Sequence, residues 1–371
     1  MTSCSGGLVL IKENRRGWSY VTPCTAGELT TYGLRAIVLM DADLKRSFAS
    51  SPLGPDVVDD HVRLSVSVIV PTYKRTHDLG RCLDALAKQT RPADRVVVVC
   101  RDTDDETRNF LAARRDSDAL NLYIVTVFVA GQVAALNAGL ESVRDGIVSF
   151  TDDDAAPRPD WLARVESHFA LHPDVGGVGG RDYIVGATSG EGTTRVGVIR
   201  WFGSPVGNHH RGTGPPRRVD VLKGANMSFR MSSVGAVRFD NRLRGEGAQR
   251  NNDLAFSLAI RERGWQIIYD PEVAVDHYPG DRIDGIERSE LSARVIRESG
   301  YNETLALLGY LHGWREAVFL LWAILVGSRN LPGVIQGIRN VSKHPAIWHL
   351  FVETIKARCD ALKTLRDSRW Q

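Results

Sequence analysis

GIVSFTDDD (Gly146–Asp154) is the stretch on which the fold turns. A short, nearly wholly apolar run leads straight into three adjacent carboxylates. Such a run reads as a buried strand, and an abrupt polar end marks where it reaches the surface of a sheet. Upstream, three more runs have the same character: VSVIVP (Val66–Pro71), RVVVVC (Arg95–Cys100) and LYIVTVF (Leu122–Phe128). Helical spacing separates them. Leu79, Cys82, Leu83 and Leu86 predict a helix over Asp78–Gln89, and Ala134, Ala135, Leu136 and Leu140 predict another over Gln132–Val143. Strands alternating with helices of about a dozen residues give an α/β fold with a mainly parallel sheet. Continuous apolar strands fit a sheet covered on both faces. Ligands in such sheets bind beyond the C-terminal strand ends, where Pro71–Arg75, Cys100–Asp105 and Asp152–Asp154 converge.

Downstream the pattern is more mixed. VLKGANMSFR (Val221–Arg230) reads as a strand with a glycine break, and NNDLAFSLAIRERGW (Asn251–Trp265) as a helix stopped by Gly264. IIYDPEVAVDHYPG (Ile267–Gly280) reads as two short strands around Asp270-Pro271, and Arg282–Gln371 as helical. Residues 1–64 form an appendage, with strands at Leu8–Ile11 and Leu34–Met40 and a linker at Ser50–Pro55. The expected organisation is therefore 1–64, an α/β domain over 65–280 with halves 65–155 and 156–280, and a helical, basic region over 281–371.

Composition excludes several classes. At 371 residues, 43% hydrophobic and 25% charged, the chain is globular. A net charge of +3 is too small for a dedicated nucleic-acid binder, so none is expected as a partner. Cys4, Cys24, Cys82, Cys100 and Cys359 make no CxxC pair, which argues against a zinc cage or a disulfide framework. The N-terminus has no basic residue before its short apolar run and does not read as a secretory signal.

Three neighbouring carboxylates raise one another's pKa unless a cation neutralises them. Oxygen ligands select Mg²⁺ or Mn²⁺, which commonly bridge carboxylates and substrate phosphates. A bare Asp152-Asp153-Asp154 also suits a solvated acidic turn; its place after a buried strand favours a site. Asp102 is either an Asx-turn residue or an acceptor for a nucleobase edge. Thr72 and Arg75, in VPTYKR, are either turn residues or nucleotide contacts. Asp253 is either part of an Asn-Asn-Asp helix cap or a general base, and Glu246, in RGEG, is a second candidate. His277 becomes a metal ligand if the acidic cluster holds a cation.

In order, VSVIVPTYKR, VVVVCRDTDDET, GQVAALNAGL, SFTDDDAAPRPDWL, KGANMSFR, NNDLAFSLAIRERGW and VDHYPG resemble the family 2 glycosyltransferases of GT-A fold, from Val66 to Gly280. The resemblance implies an inverting, metal-dependent transferase using a nucleotide diphosphate sugar. It implies that Pro71, Thr72 and Arg75 line the nucleotide pocket and that Asp102 recognises the base. Gly131 and Asn137 would sit beside the nucleotide. Asp152 and Asp154 match the DxD motif, one near the ribose and one on the metal, with Asp153 between them. Asp253 matches the catalytic base, with Asn252 in place of its acidic neighbour, and His277 matches a histidine near the diphosphate and metal. Trp161 matches a packing position. The resemblance further implies Mg²⁺ or Mn²⁺ as cofactor, a uridine diphosphate sugar as donor and a glycan or lipid-linked acceptor.

Two competing readings remain. A non-catalytic nucleotide-sugar-binding protein would share the fold. A nucleotidyltransferase would want a glycine-rich basic loop after the first strand, which VPTYKRTHDLG lacks. The apolar run Ala317–Gly327 would make a helix of about 16 Å, too short to span a bilayer. It precedes a tail, Arg329–Gln371, with eight Lys or Arg against three acids. That pairing suits an interfacial helix, and equally a core helix followed by a solvated one. The expectation is a cytoplasmic protein with peripheral contact to the inner face of the cell membrane.

Overall fold

The computed structural model describes residues 9–13, 19–23, 63–115, 120–187, 190–279, 292–341 and 347–368. The chain divides into two compact units, 1–61 and 62–371. In the first, β1 (Val9–Glu13) and β2 (Ser19–Pro23) pair antiparallel. The strand expected at Leu8–Ile11 coincides with β1 from Val9 onward. The expected strand Leu34–Met40 and linker Ser50–Pro55 lie outside the described residues.

The second unit opens with the predicted alternation. It runs β3 (Val66–Pro71), α1 (Thr76–Ala87), β4 (Arg95–Arg101), α2 (Asp105–Arg115), β5 (Leu122–Val127), α3 (Gln132–Glu141) and β6 (Ile147–Phe150). Then come β7 (Ala155–Pro157), α4 (Trp161–Leu171), β8 (Val175–Ile184), β9 (Arg217–Val219), β10 (Met227–Arg230), α5 (Asn252–Glu262) and β11 (Gln266–His277). The helices α6 (Ala293–Tyr310), α7 (Trp314–Leu325), α8 (Val334–Asn340) and α9 (Ile347–Ser368) complete it.

Among the described residues, one sheet has the order β9-β11-β8-β10-β6-β3-β4-β5, with β7 paired to β11. β3 pairs in parallel with β4 and β6, β4 with β5, and β8 with β11. β10 lies antiparallel between β6 and β8, so both of these still point the same way as β3. Side chains alternate across the sheet with period two. Ile69, Val97 and Val99 enter one core with Val133, Leu136 and Leu140 of α3. Val66, Val68, Val96 and Val98 enter the other with α1, α4 and Leu111 of α2. Both faces are covered, which explains why these strands carry no polar alternation. Trp161 is fully buried, and its indole N–H donates to Asn226 Oδ1 at 2.8 Å.

Two elements differ from the sequence expectation. β11 is one long strand, not two short ones; the Asp270-Pro271 step is absorbed by a register shift between Asp270 and Val275. β8 was not anticipated at all. Its sequence, VGGVGGRDYI, reads weakly because interior glycines disfavour strands. Here they are required by close neighbours. A Cβ at Gly179 would lie 2.4 Å from the Asn226 carbonyl oxygen, and one at Gly180 would lie 1.9 Å from that of Val273. Backbone oxygens cannot rotate aside as a flexible side chain can. Gly180→Ala is therefore expected to cost about 3 kcal/mol, the upper end for overpacking. Gly207→Ala, with open space around it, is expected to be nearly neutral. Urea midpoints of the two variants check this, and equal midpoints would contradict the close packing at β8.

Candidate active site

β6 ends at Phe150, and the next residue is still anchored: Thr151 N–H donates to Ile69 C=O and its hydroxyl to Ala225 C=O at 3.0 Å. The three carboxylates that follow are thus delivered from a fixed point and diverge. β7 begins at Ala155 and pairs with the end of β11, which sets His277 opposite Ala155. Tyr278 N–H donates to Asp154 C=O at 2.8 Å. This ladder places His277 Nε2 3.1 Å from Asp154 Oδ1.

Asp153 turns the other way. It accepts from Thr72 Oγ1 at 2.9 Å and from Arg75 Nη1 at 3.0 Å, and Arg75 also reaches Asp154 Oδ2 at 3.3 Å. Asp152 accepts from Gln132 Nε2 at 3.3 Å, and Gln132 Oε1 in turn accepts from Asn252 Nδ2 at 3.1 Å. On β8, Asp182 is fully buried, ion-paired with Lys223 and 3.6 Å from His277 Nδ1.

The electrostatics follow from this crowding. Burial, and then the Asp154 charge, raise Asp152 to about 6. Burial lifts Asp153 to about 7 although Arg75 opposes it. Burial acts against a charged His277, but Asp154 and Asp182 outweigh it and raise the imidazole to about 9. Burial would raise Asp182 as well; His277 and Lys223 win there and hold it at about 2.

Donor atoms of Asp152, Asp154 and His277 all lie within 4.8 Å of one another. Ligands on opposite sides of a Mg²⁺-sized ion are ~4 Å apart, so the spacing suits a single divalent ion. Both ring nitrogens of His277 are buried without a well-aligned hydrogen bond. Nε2 faces Asp154 and Nδ1 faces Asp182 as ion pairs, and an ion ligated at Nε2 would satisfy that nitrogen directionally. The donor set, two carboxylates and an imidazole, fits Mg²⁺ or Mn²⁺.

These groups line a cleft of about 570 Å³. Of the residues predicted from sequence, Pro71, Thr72, Arg75, Gly131, Glu246, Asn252, Asp253 and His277 line it together with the three aspartates. Gly131 opens α3 at φ +111°, with Gln249 Oε1 2.6 Å from where a Cβ would stand. Asp253 lies in the first turn of α5; its Oδ1 accepts from Leu254 N–H at 2.8 Å and its Oδ2 from Gly224 N–H at 3.2 Å. The Asn-Asn-Asp helix cap does not form. Asn251 adopts a left-handed conformation without a side-chain cap, and Asn252 instead bonds Gln132 and the Gln249 carbonyl. The side chain of Glu246 is exposed and pairs with Arg294 at 2.9 Å.

Two predicted residues stand off the cleft. Asn137 is buried and its amide clamps Phe239, donating to its carbonyl and accepting from its N–H, each at 2.9 Å. Asp102 pairs with Arg101 at 3.4 Å, and it is Arg101 that lines the cleft. Sequence reasoning missed Gln132, Lys223 and Asp182. The first two sit inside quoted motifs, GQVAALN and KGANMSFR, where their side chains carried no separate signal. Asp182 was hidden in the unrecognised strand.

The comparisons with known proteins concern the family and the fold. The family model described as "Glycosyltransferase like family 2" matches residues 63–298. Glycosyltransferase AglE of Haloferax volcanii is 37% identical over 103 residues, 27% of this chain and 33% of that one. The amylovoran biosynthesis glycosyltransferase AmsE of Erwinia amylovora is 32% identical over 112 residues, 29% of this chain and 42% of that one. The chain thus spans a third to two fifths of the curated relatives it matches. Among solved structures, S. aureus TarS aligns with a TM-score of 0.53 at 15% identity, over 79% of this chain and 49% of that one. TarS 1–349 in complex with UDP-GlcNAc aligns with 0.51 at 16%, over 82% and 92%. At those identities the likeness concerns the fold, which is GT-A. With the family match covering more than half its length, the chain belongs to glycosyltransferase family 2.

Proposed function

We propose that the cleft transfers a sugar from a nucleotide diphosphate sugar to an acceptor hydroxyl, inverting the anomeric centre and depending on a divalent metal. The observation that carries this reading is the placement of Asp152, Asp154 and His277 in the same cleft as Asp253. A uridine diphosphate sugar is the proposed donor; TarS, of the same fold, has been solved with UDP-GlcNAc. The acceptor is a glycan or a lipid-linked hydroxyl.

Asp154 and His277 would hold Mg²⁺ or Mn²⁺, with Asp152 beside them facing the ribose. Bound there, the ion supplies Lewis-acid neutralisation of the departing diphosphate. Asp153 has a different task. Through Thr72 and Arg75 it fixes the end of β3 against the acidic turn. An acceptor hydroxyl has a pKa far above 7 and must lose its proton as it attacks. Asp253 takes that proton, its carboxylate oriented by the Leu254 and Gly224 N–H groups. One displacement from the face opposite the leaving group inverts the centre. Glu246, tied outward to Arg294, is not needed for this step.

Mn²⁺ titrated calorimetrically should bind at least ~10-fold more weakly to Asp154→Ala and His277→Ala, and within ~3-fold of wild type to Asp153→Asn. Wild-type transfer that persists in excess EDTA would exclude the metal. For the base, Asp253→Asn should keep donor binding and lose at least ~10²-fold in turnover. Glu246→Gln should stay near wild type. The reverse pattern would move the base to Glu246.

A further inference from the structure

We infer that the outer face of α7 and α8 docks on an anionic lipid bilayer and brings the cleft to a lipid-linked acceptor. On α7, Phe319 and Ala323 are fully buried, yet the opposite side is also apolar: Trp314 is 66% and Leu321 59% exposed, with Ile324 and Leu325 alongside. The only charges on the helix, Arg315 and Glu316, lie in its first turn. A helix apolar all round belongs inside something. Leu254 and Leu258 of α5 and Leu307 and Leu308 of α6 cover one side of α7, and water would cover the other.

The same face continues into neighbouring elements. Gly327 bridges to Pro332, joining α7 to α8, where Ile335 and Ile338 are exposed. Beneath α8, the Trp348 ring of α9 lies against Gly337, 3.1 Å from where a Cβ would stand. Phe202 packs on Trp322 with ring centroids 5.4 Å apart, and the adjacent Trp201 is 66% exposed. Exposed apolar patches of this extent mark interaction surfaces.

The chemistry selects a bilayer over a protein partner. Between Trp314 and Val341 the sequence has three arginines, Arg315, Arg329 and Arg339, and a single acid, Glu316. Arg200, Arg329 and Arg339 are exposed. Apolar side chains ringed by cations and tryptophan match the headgroup boundary of an anionic leaflet. Among the described residues, no helix is long and apolar enough to cross a membrane, so contact is with the surface. The face is also well placed for the reaction. Phe319 and Ala323 share one buried cluster with Val221 and Leu254, and Leu254 follows Asp253 directly in sequence. Docking therefore sets the base one packed layer from the lipid. The acceptor class rests on the transferase reading above, whereas docking itself does not.

Flotation of the full chain with vesicles tests the docking without reading activity. Wild type should float with phosphatidylcholine vesicles containing phosphatidylglycerol, and less with phosphatidylcholine alone. The triple variant Leu321→Glu/Ile324→Glu/Ile338→Glu, altered only at exposed positions, should lose at least ~10-fold in bound fraction. Arg329→Gln/Arg339→Gln should erase the preference for anionic vesicles. Both variants should keep wild-type transfer to a water-soluble acceptor. Wild type that stays in the soluble fraction with both vesicles overturns the inference, as does a triple variant that floats normally. So does sedimentation showing a wild-type dimer that the triple variant dissociates, which would assign the face to a second copy. A chain that docks but transfers nothing counts against the transferase reading alone.

Discussion

Three carboxylates in a row, two buried and one half-buried, cannot all be charged without help, and the site is organised around that constraint. Asp152, Asp153 and Asp154 leave β6 together, and each receives a different partner. Arg75 and Thr72 take Asp153. His277, brought in by the β7–β11 ladder, takes Asp154. Gln132 takes Asp152, and through it Asn252 at the head of α5. The acidic turn therefore binds the first strand, the last strand and the helix bearing Asp253 into one constellation. Removing Arg75 would take the cationic partner from Asp153 and one of the partners of Asp154 at once, which costs more than a single pair contributes.

Asp182 shows how far this reaches beyond the cleft. It lies within 3.6 Å of the imidazole of His277 and pairs with Lys223, which lines the cleft. A metal-ligating histidine usually presents its second nitrogen to a carboxylate, which fixes the ring and raises its basicity. Asp182 occupies that position only because β8 can approach β11 so closely. That approach requires Gly180, whose missing Cβ leaves room for the Val273 carbonyl. A backbone requirement in an unremarkable glycine run thus supports the geometry of the acidic site.

The parallel half of the sheet was legible because its strands are continuous β-branched runs buried on both faces, a pattern few other elements share. The second half was not. β8 hides its strand character behind glycines, and the bulge in β11 looks like a break because Asp270-Pro271 resembles a turn. The site residues divided along similar lines. Asp152, Asp154 and His277 were readable because chemistry restricts what three such groups can do at a strand end. Asp102 and Asn137 were harder, since closeness in sequence to a strand end or a motif does not fix which way a side chain points. β4 ends at Arg101, which lines the cleft, whereas Asp102 lies in the turn beyond it, where strand alternation no longer aims the side chain. Asn137 lies on the buried face of α3, where its amide satisfies the Phe239 backbone.

Charge balance ties the proposed chemistry to the remaining residues. The cleft is lined by five acids, Asp152, Asp153, Asp154, Glu246 and Asp253, and by Arg75, Arg101, Lys223, Arg250 and His277. With its pKa raised to about 9, His277 carries a proton at neutral pH while no cation is bound, and it must release that proton to ligate one. A nucleotide diphosphate sugar would add two negative charges to this cleft. Placing them there alone would raise the already elevated Asp152 and Asp153 further, because like charges nearby favour the protonated forms. A divalent cation entering with the diphosphate restores the balance without protonating the carboxylates. On the proposed reading, donor and metal therefore bind together, with Asp253 on α5 lining the same cleft outside the three metal donors.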